Sequence, residues 1–444
     1  MAPTQHGYAP TLDSFLHAKL HLEAAIEQAC SLLKRRQIRG PESCALVTAH
    51  VMSLVVSKAK WADVDQLLDR VCQAGRKLVD AQPQELVIGN IVRRVLGLIH
   101  DEVEADRTEN GEDPSVTGSM SGSISDLRAD SVQPGQVPSI VASPSYTALA
   151  RTTRQPSLIV TGPYQSMFNL LSAVEPASVT ASGEVSSAGS GASTPVPGGP
   201  THGGKGESSR TAALRDEILD GIEEIKDEIG QADDQIAGFA ESQIRPGDTV
   251  MVYAEPSRTI EKFLIKAAAR RRYTLYLVGA TAPPTSGISS LYKRLGAAKC
   301  PIVHLSSTAV SAYMSRVNRV VIDARAIAAN GGILAGAGSL RLARAARAQR
   351  RTVLVVGGVY KLSPEALTNP DAFVEWGEPG QLARFADGSL VGDGGLAIET
   401  AVTEFLPASL IDIYVTNLGP HTKDYLESVI ADHYKREELE LYKQ

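Results

Sequence analysis

From Arg245 onward the chain repeats one pattern: an apolar run, then a segment with apolar residues at helical spacing, then another apolar run. The runs are 249–254 (TVMVYA), 273–279, 301–305, 319–324, 352–356 and 411–416, and helices are expected at 258–271, 288–296, 309–314, 339–349 and 421–432. A run of about six residues that is apolar on both sides leaves no face for water, so it belongs to a parallel sheet covered by helices on both faces. The pattern predicts a doubly wound α/β domain over 245–444, with its ligand crevice beyond the carboxyl ends of the strands.

Ahead of this domain, apolar residues recur at helical spacing in four groups: Leu12, Phe15, Leu16 and Leu20; Leu46, Val47, Met52, Leu54 and Val55; Val64 to Leu78; and Leu86 to Leu98. Gly40-Pro41 and Gln82-Pro83 punctuate them, with Pro83 placed at the first turn of a helix. This predicts a helical bundle of four helices as an N-terminal domain over 1–103. Over 104–209 Gly, Ser, Thr, Pro and Ala dominate (ASGEVSSAGSGASTPVPGGP), a composition whose burial cannot offset the entropy of ordering it. A flexible linker is expected there, with the apolar stretch 157–174 (SLIVTGPYQSMFNLLSAV) as a short docked piece. Over 210–244, Leu214, Ile218, Ile222, Ile225, Ile229 and Ile236 form one stripe of a connecting helix whose carboxylates read as a solvated face.

Bulk chemistry narrows the partners. With 44 basic and 50 acidic residues the formal charge is -6, which argues against nucleic acid as a partner. The four cysteines form no C-x-x-C pair and have no histidine at zinc spacing, so they read as reduced thiols with no metal site. The opening MAPTQHGYAP has no signal-peptide pattern. The most apolar run, 44–56, is shorter than the roughly 20 residues of a membrane span. A cytoplasmic protein without membrane contact is expected.

The turn Asn330-Gly331-Gly332 leads through Gly336 and Gly338 to Ser339, which is expected to cap the next helix. Such a turn admits a phosphate at the helix start, or close packing against the sheet or another subunit. GAGSLR lacks the last glycine of G-x-G-x-x-G, and no P-loop occurs. Arg341, Arg344 and Arg347 share one helix face, and Arg270-Arg271-Arg272 closes a helix where cations meet the negative end of its dipole. Glu255, Asp323 and Asn417 stand at strand ends, but no G-x-S-x-G, no H-E-x-x-H and no carboxylate pair beside a histidine joins them into a catalytic set.

Several ordered motifs carry a resemblance. AQPQELVIGNIVRRVLGLIHDEV, PSRTIEKFLIKAAARRR, MSRVNRVVIDARAIAANGGILAGAGSLRLARAA and VVGGVYKLSP are together similar to the regulatory alpha, beta and delta subunits of eukaryotic translation initiation factor 2B. LIDIYVTNLGPHTKDYLESVIADHY looks most like the beta branch. The resemblance implies a helical N-terminal domain before a Rossmann-like doubly wound α/β domain. It implies a non-catalytic subunit that pairs with delta and assembles with alpha, gamma and epsilon into a guanine nucleotide exchange complex. That complex acts on initiation factor 2 and senses phosphorylation of that factor's alpha subunit.

The same motifs resemble the isomerases of methylthioribose-1-phosphate and ribose-1,5-bisphosphate, which supplies the alternative: an aldose-ketose isomerase, or a sensor of nucleotides or sugar phosphates. Laying the isomerase motifs on this chain puts Ala254 at the catalytic cysteine, Arg325 at the catalytic aspartate and Gly336 at a lysine, while IAANG (Ile327 to Gly331) is kept. A methyl group is no nucleophile, and an arginine charged at physiological pH is no general acid or base. The resemblance leaves Arg325, Gly331 and Gly338 as a vestigial phosphate pocket. It places Gln235 and Ser242 toward initiation factor 2 alpha, with Asn330 and Asn417 as further interface residues. No cofactor is implied.

Overall fold

A computed structural model of the chain describes residues 12–61, 63–109, 205–253, 256–279, 286–367, 369–377 and 398–434. The described residues up to Glu102 and from 205 onward belong to one compact unit, and 103–109 continue a helix out of it. The stretch 157–174 lies outside the described residues.

The N-terminal part is helical: α1 (Leu12–Leu16), α2 (Leu22–Lys34), α3 (Pro41–Lys58), α4 (Val64–Ala81) and α5 (Leu86–Glu109). Four long helices are there, but the first is misplaced in the sequence reading. Leu12 to Leu20 do not form one helix; the chain turns after α1, and α2 buries Ala25, Ile26, Ala29, Leu32 and Leu33. Part of that stripe is alanine, which gives hydropathy little contrast. Pro41 is the first residue of α3 after Gly40 at φ 87°. Pro83 instead lies in the turn ahead of α5. Helix α3 is buried nearly all round, through Cys44, Val47, Val51, Met52, Val55 and Val56 among others, so it is the axis of the bundle.

Helix α6 (Lys205–Gly238) packs on α3 with Leu214, Ile218, Ile222, Ile225 and Ile229, all nearly inaccessible, and then on the sheet with Ile236. It joins the bundle to the α/β part as one continuous rod. A turn at Phe239 separates it from the short α7 (Ala240–Gln243), so 210–244 is not a single helix.

The α/β part follows as β1 (Thr249–Tyr253), α8 (Arg258–Arg270), β2 (Thr274–Gly279), α9 (Ser286–Ala297), β3 (Ile302–Ser306), α10 (Val310–Tyr313), β4 (Arg319–Ala328), β5 (Ile333–Gly336), α11 (Ser339–Ala348), β6 (Thr352–Val356), β7 (Leu362–Ser363), β8 (Thr403–Leu406), β9 (Ile413–Thr416), β10 (Gly419–His421) and α12 (Lys423–His433). The main sheet runs β3-β2-β1-β4-β6-β9 in parallel, closed by antiparallel β10. Chain order reverses between β1 and β4, which is where a doubly wound sheet opens its crevice.

Alternation explains why both faces are dry. Val250, Val252, Val321, Leu354 and Val356 point into a core with Phe263 and Leu264 of α8. Met251, Val320, Ile322, Val353 and Val355 point into another with Leu342 of α11 and Leu426 of α12. Each fully buried Leu or Phe side chain contributes about 1.5–3 kcal/mol.

Strand β4 runs four residues beyond its expected end. Its far half leaves the main sheet to pair with β5 and β7, and β8 adds to β5. The glycine-rich stretch read as a turn thus contains a strand, ILAG, whose shortness hid it. The expected cap Ser339 is the first residue of α11; the cap position is Gly338 at φ 100°. None of the described helices is long and apolar enough to cross a membrane.

Candidate functional site

Arg325 sits on the far half of β4, where the register with β5 shifts: Ala324 pairs with Ala335 and Ala326 with Leu334, leaving Arg325 as the extra residue of a bulge. A bulge re-aims one side chain without ending the strand. Here the guanidinium is turned onto two carboxylates. Nη1 donates to Glu375 Oε2 at 2.9 Å, and Nη2 donates to Glu85 Oε1 at the foot of α5. Glu375 also accepts from Arg36 Nη1, and Arg36 Nη2 donates to Gln84 Oε1 at 2.7 Å. A chain Arg36–Glu375–Arg325–Glu85 therefore stitches the helical part to the sheet. Burial alone would lower the Arg325 pKa, but the two carboxylates outweigh it and the net direction is up. Burial pushes the Glu85 carboxyl up against the lowering by Arg325; the arginine is the member whose charge is fixed. The cavity that Arg325 lines is about 10 Å³, room for at most one water.

The start of α11, the other anion-binding element expected, is also occupied. Glu404 Oε1 of β8 accepts from the Leu340 backbone N–H at 2.6 Å, and its carboxylate also draws on Gly338 and Ser339. A carboxylate of the chain itself thus takes the N–H groups that a phosphate would use. Gly338 is packed so closely that a Cβ there would lie 2.4 Å from the Tyr253 ring. Gly331, at φ 77°, abuts Lys423, Ala408 and Tyr414, and the Tyr414 hydroxyl donates to its carbonyl. The 10 Å³ cavity of Arg325 includes neither glycine.

Closer to the switch point, Lys361 is 2% exposed and pairs with Asp323 at 3.1 Å. Burial would lower its pKa, but Asp323 outweighs this and raises it. Burial pushes the neighbouring Tyr360 hydroxyl up to about 12. Asp233 of α6 accepts from Thr259 Oγ1 of α8 at 2.6 Å, and Asn90 of α5 donates to the Tyr360 carbonyl at 3.3 Å. Helices α5 and α6 cover the described part of the strand-end crevice, and Lys361, Asp323 and Asp233 are each partnered within the chain.

The other sequence-predicted residues scatter. Ala254 lies outside the described residues. Gly336 ends β5 with open space around it. Asn330 is exposed and accepts from Gly332 N–H, while Asn417 accepts from Val359 N–H at 2.8 Å. Gln235 on α6 and Ser242 on α7 are exposed on either side of the Phe239 turn. Arg36, Glu85, Glu375, Lys361 and Glu404 were missed. Glu85 and Lys361 lie inside motifs that carried the resemblance, whereas Glu375 and Glu404 sit in stretches with no periodic signal.

Residues 37–423 match the sequence profile of the Initiation factor 2 subunit family. The chain belongs to this family. Among family members it is 30% identical to translation initiation factor eIF2B subunit beta of Schizosaccharomyces pombe over 417 residues, covering 93% of this chain and 96% of that one. It is 26% identical to the corresponding subunit of Dictyostelium discoideum over 408 residues, 92% of this chain and 94% of that one. Its fold is similar to the crystal structure of eIF2B beta from Chaetomium thermophilum, with TM-score 0.65, 36% identity and coverage of 97% and 98% of the two chains. It is also similar to a chain of the tetrameric eIF2B-beta2-delta2 complex of that organism, with TM-score 0.60, 33% identity and coverage of 97% and 100%. The resemblance drawn from the motifs is met, and so is the fold class of helices followed by a parallel-dominated α/β sheet.

Proposed function

We propose that the chain is a non-catalytic regulatory subunit, of the beta type, in the guanine nucleotide exchange complex that acts on initiation factor 2. It pairs directly with a delta-type subunit and assembles with alpha-, gamma- and epsilon-type subunits in the cytoplasm. It helps to sense phosphorylation of the factor's alpha subunit, which it meets through Gln235 and Ser242. The observation that carries the non-catalytic reading is Arg325 held between Glu85 and Glu375. The position where the isomerase motif calls for a free carboxylate instead holds a neutralised cation, and nothing at that atom can take or give a proton during a reaction. The pairing with delta is supported by the likeness to a chain of the beta2-delta2 complex.

The test is affinity purification of the tagged full chain at native abundance from its own cells, read by quantitative mass spectrometry. Stoichiometric delta-, gamma- and epsilon-type subunits are expected. Recovery of the chain without them, under conditions that preserve other initiation-factor complexes, refutes the proposal.

A further inference from the structure

The helical part holds a groove used neither by the charge network nor by the sheet. It measures about 280 Å³ and lies between α2, the end of α3 and α4. Its floor is apolar, from Ile26, Val55 and Ala74, all buried, with Leu22 half-buried at one end. Its rim is basic: Lys58, Lys60, Arg70 and Lys77 are exposed around it, against the single carboxylate of Glu23. Lys77 and Glu23 approach to 3.6 Å with more than half of each side chain in solvent, a pair that water screens and a stronger partner displaces. Lys58 uses one of its three donors on the Leu20 carbonyl at 2.7 Å. Such a surface, on a chain that is acidic as a whole, selects an apolar ligand flanked by negative charge.

The placement of the cations narrows the ligand further. Arg70 and Lys77 are two turns apart on α4, roughly 10 Å along its axis, with Gln73 and Ala74 between them. One small anion cannot reach both ends of this row. A facing helix can, when it carries two carboxylates two turns apart and an apolar pair between them that seats over Ala74 and Ile26. We infer that this groove docks an acidic amphipathic helix of a partner protein, read by Arg70 and Lys77 at its rim and by the apolar floor at its centre.

The test uses the full chain and two fluorescent synthetic helices of identical composition, one with glutamates two turns apart flanking a leucine pair, the other with the glutamates moved to the opposite face. Anisotropy should show the first binding about tenfold more tightly than the second, with affinity falling as salt is added. Arg70→Glu with Lys77→Glu should cost at least about tenfold, and both sites are exposed, so circular dichroism should be unchanged. Ala74→Phe fills the floor without altering charge and should also abolish binding. Equal affinity for the two helices, or no loss in the charge-reversed variant, overturns the inference. Displacement of the helix by octanoate at concentrations similar to the peptide's also overturns it, assigning the groove to a small amphiphilic anion.

Discussion

Glu85 and Arg325 are 240 positions apart in the chain and hydrogen-bonded in the fold, the carboxylate at the foot of α5 accepting from the guanidinium at the bulge of β4. Their side chains are 6% and 21% exposed, so neither can exchange its partner for bulk water cheaply. Arg325, paired with Glu85 and Glu375, holds the helical part on the sheet.

Arg325→Met should therefore destabilise the protein rather than change any chemistry. Removing the cation leaves Glu85 without its ion-pair partner beside Glu375, which keeps Arg36, a loss of about 3 kcal/mol. The urea midpoint should fall, and Glu85→Gln in the same chain should restore most of the loss, because the buried unpaired anion is then gone.

An aspartate at position 325 should not create an isomerase. Arg325→Asp places a third carboxylate beside Glu85 and Glu375 in a cavity of about 10 Å³. The variant should be less stable than Arg325→Met, and a coupled assay should detect no ketose from methylthioribose-1-phosphate or ribose-1,5-bisphosphate. Turnover by this single substitution would contradict the structural reading of the site.

Gly338 and Gly336 separate backbone constraint from mere glycine content. At Gly338, φ is 100° and a Cβ would meet the Tyr253 ring at 2.4 Å, so Gly338→Ala should cost about 2 kcal/mol or more. Gly336 ends a strand with open space around it, and Gly336→Ala should change the melting temperature little.

Acidification should weaken the fold through His433. Burial lowers its pKa below the ordinary 6.5, and the neighbouring Arg94 cation lowers it further. The unfolded chain then binds more protons than the folded one as pH falls below 6.5, so stability drops in that window and is level above it. His433→Gln should reduce the loss of melting temperature between pH 7.5 and pH 5.5; an unchanged loss would show that His433 is not its source.

The sheet was legible because its strands are continuous apolar runs. Alternate residues, such as Val320 and Ile322 against Val321, sit in opposite cores as two-sided burial requires. Helix α2 was lost because alanines make up part of its buried stripe. The site was half legible. The motif singled out Arg325, but its partners come from the turn ahead of α5 and from the loop before β8, brought together by a bulge that no local pattern marks. Glu404 was invisible for the same reason: it caps α11 from 64 positions away. Charge pairing across long sequence separation leaves no periodic trace, whereas burial on a regular element does.

The proposed function depends above all on assembly with a delta-type subunit, and native mass spectrometry of the full chain co-expressed with that subunit tests it most directly. A complex with two copies of each subunit is expected, with the chain expressed alone self-associating through the surface it would otherwise pair. A soluble, stable monomer that ignores the delta-type subunit at micromolar concentration would contradict it.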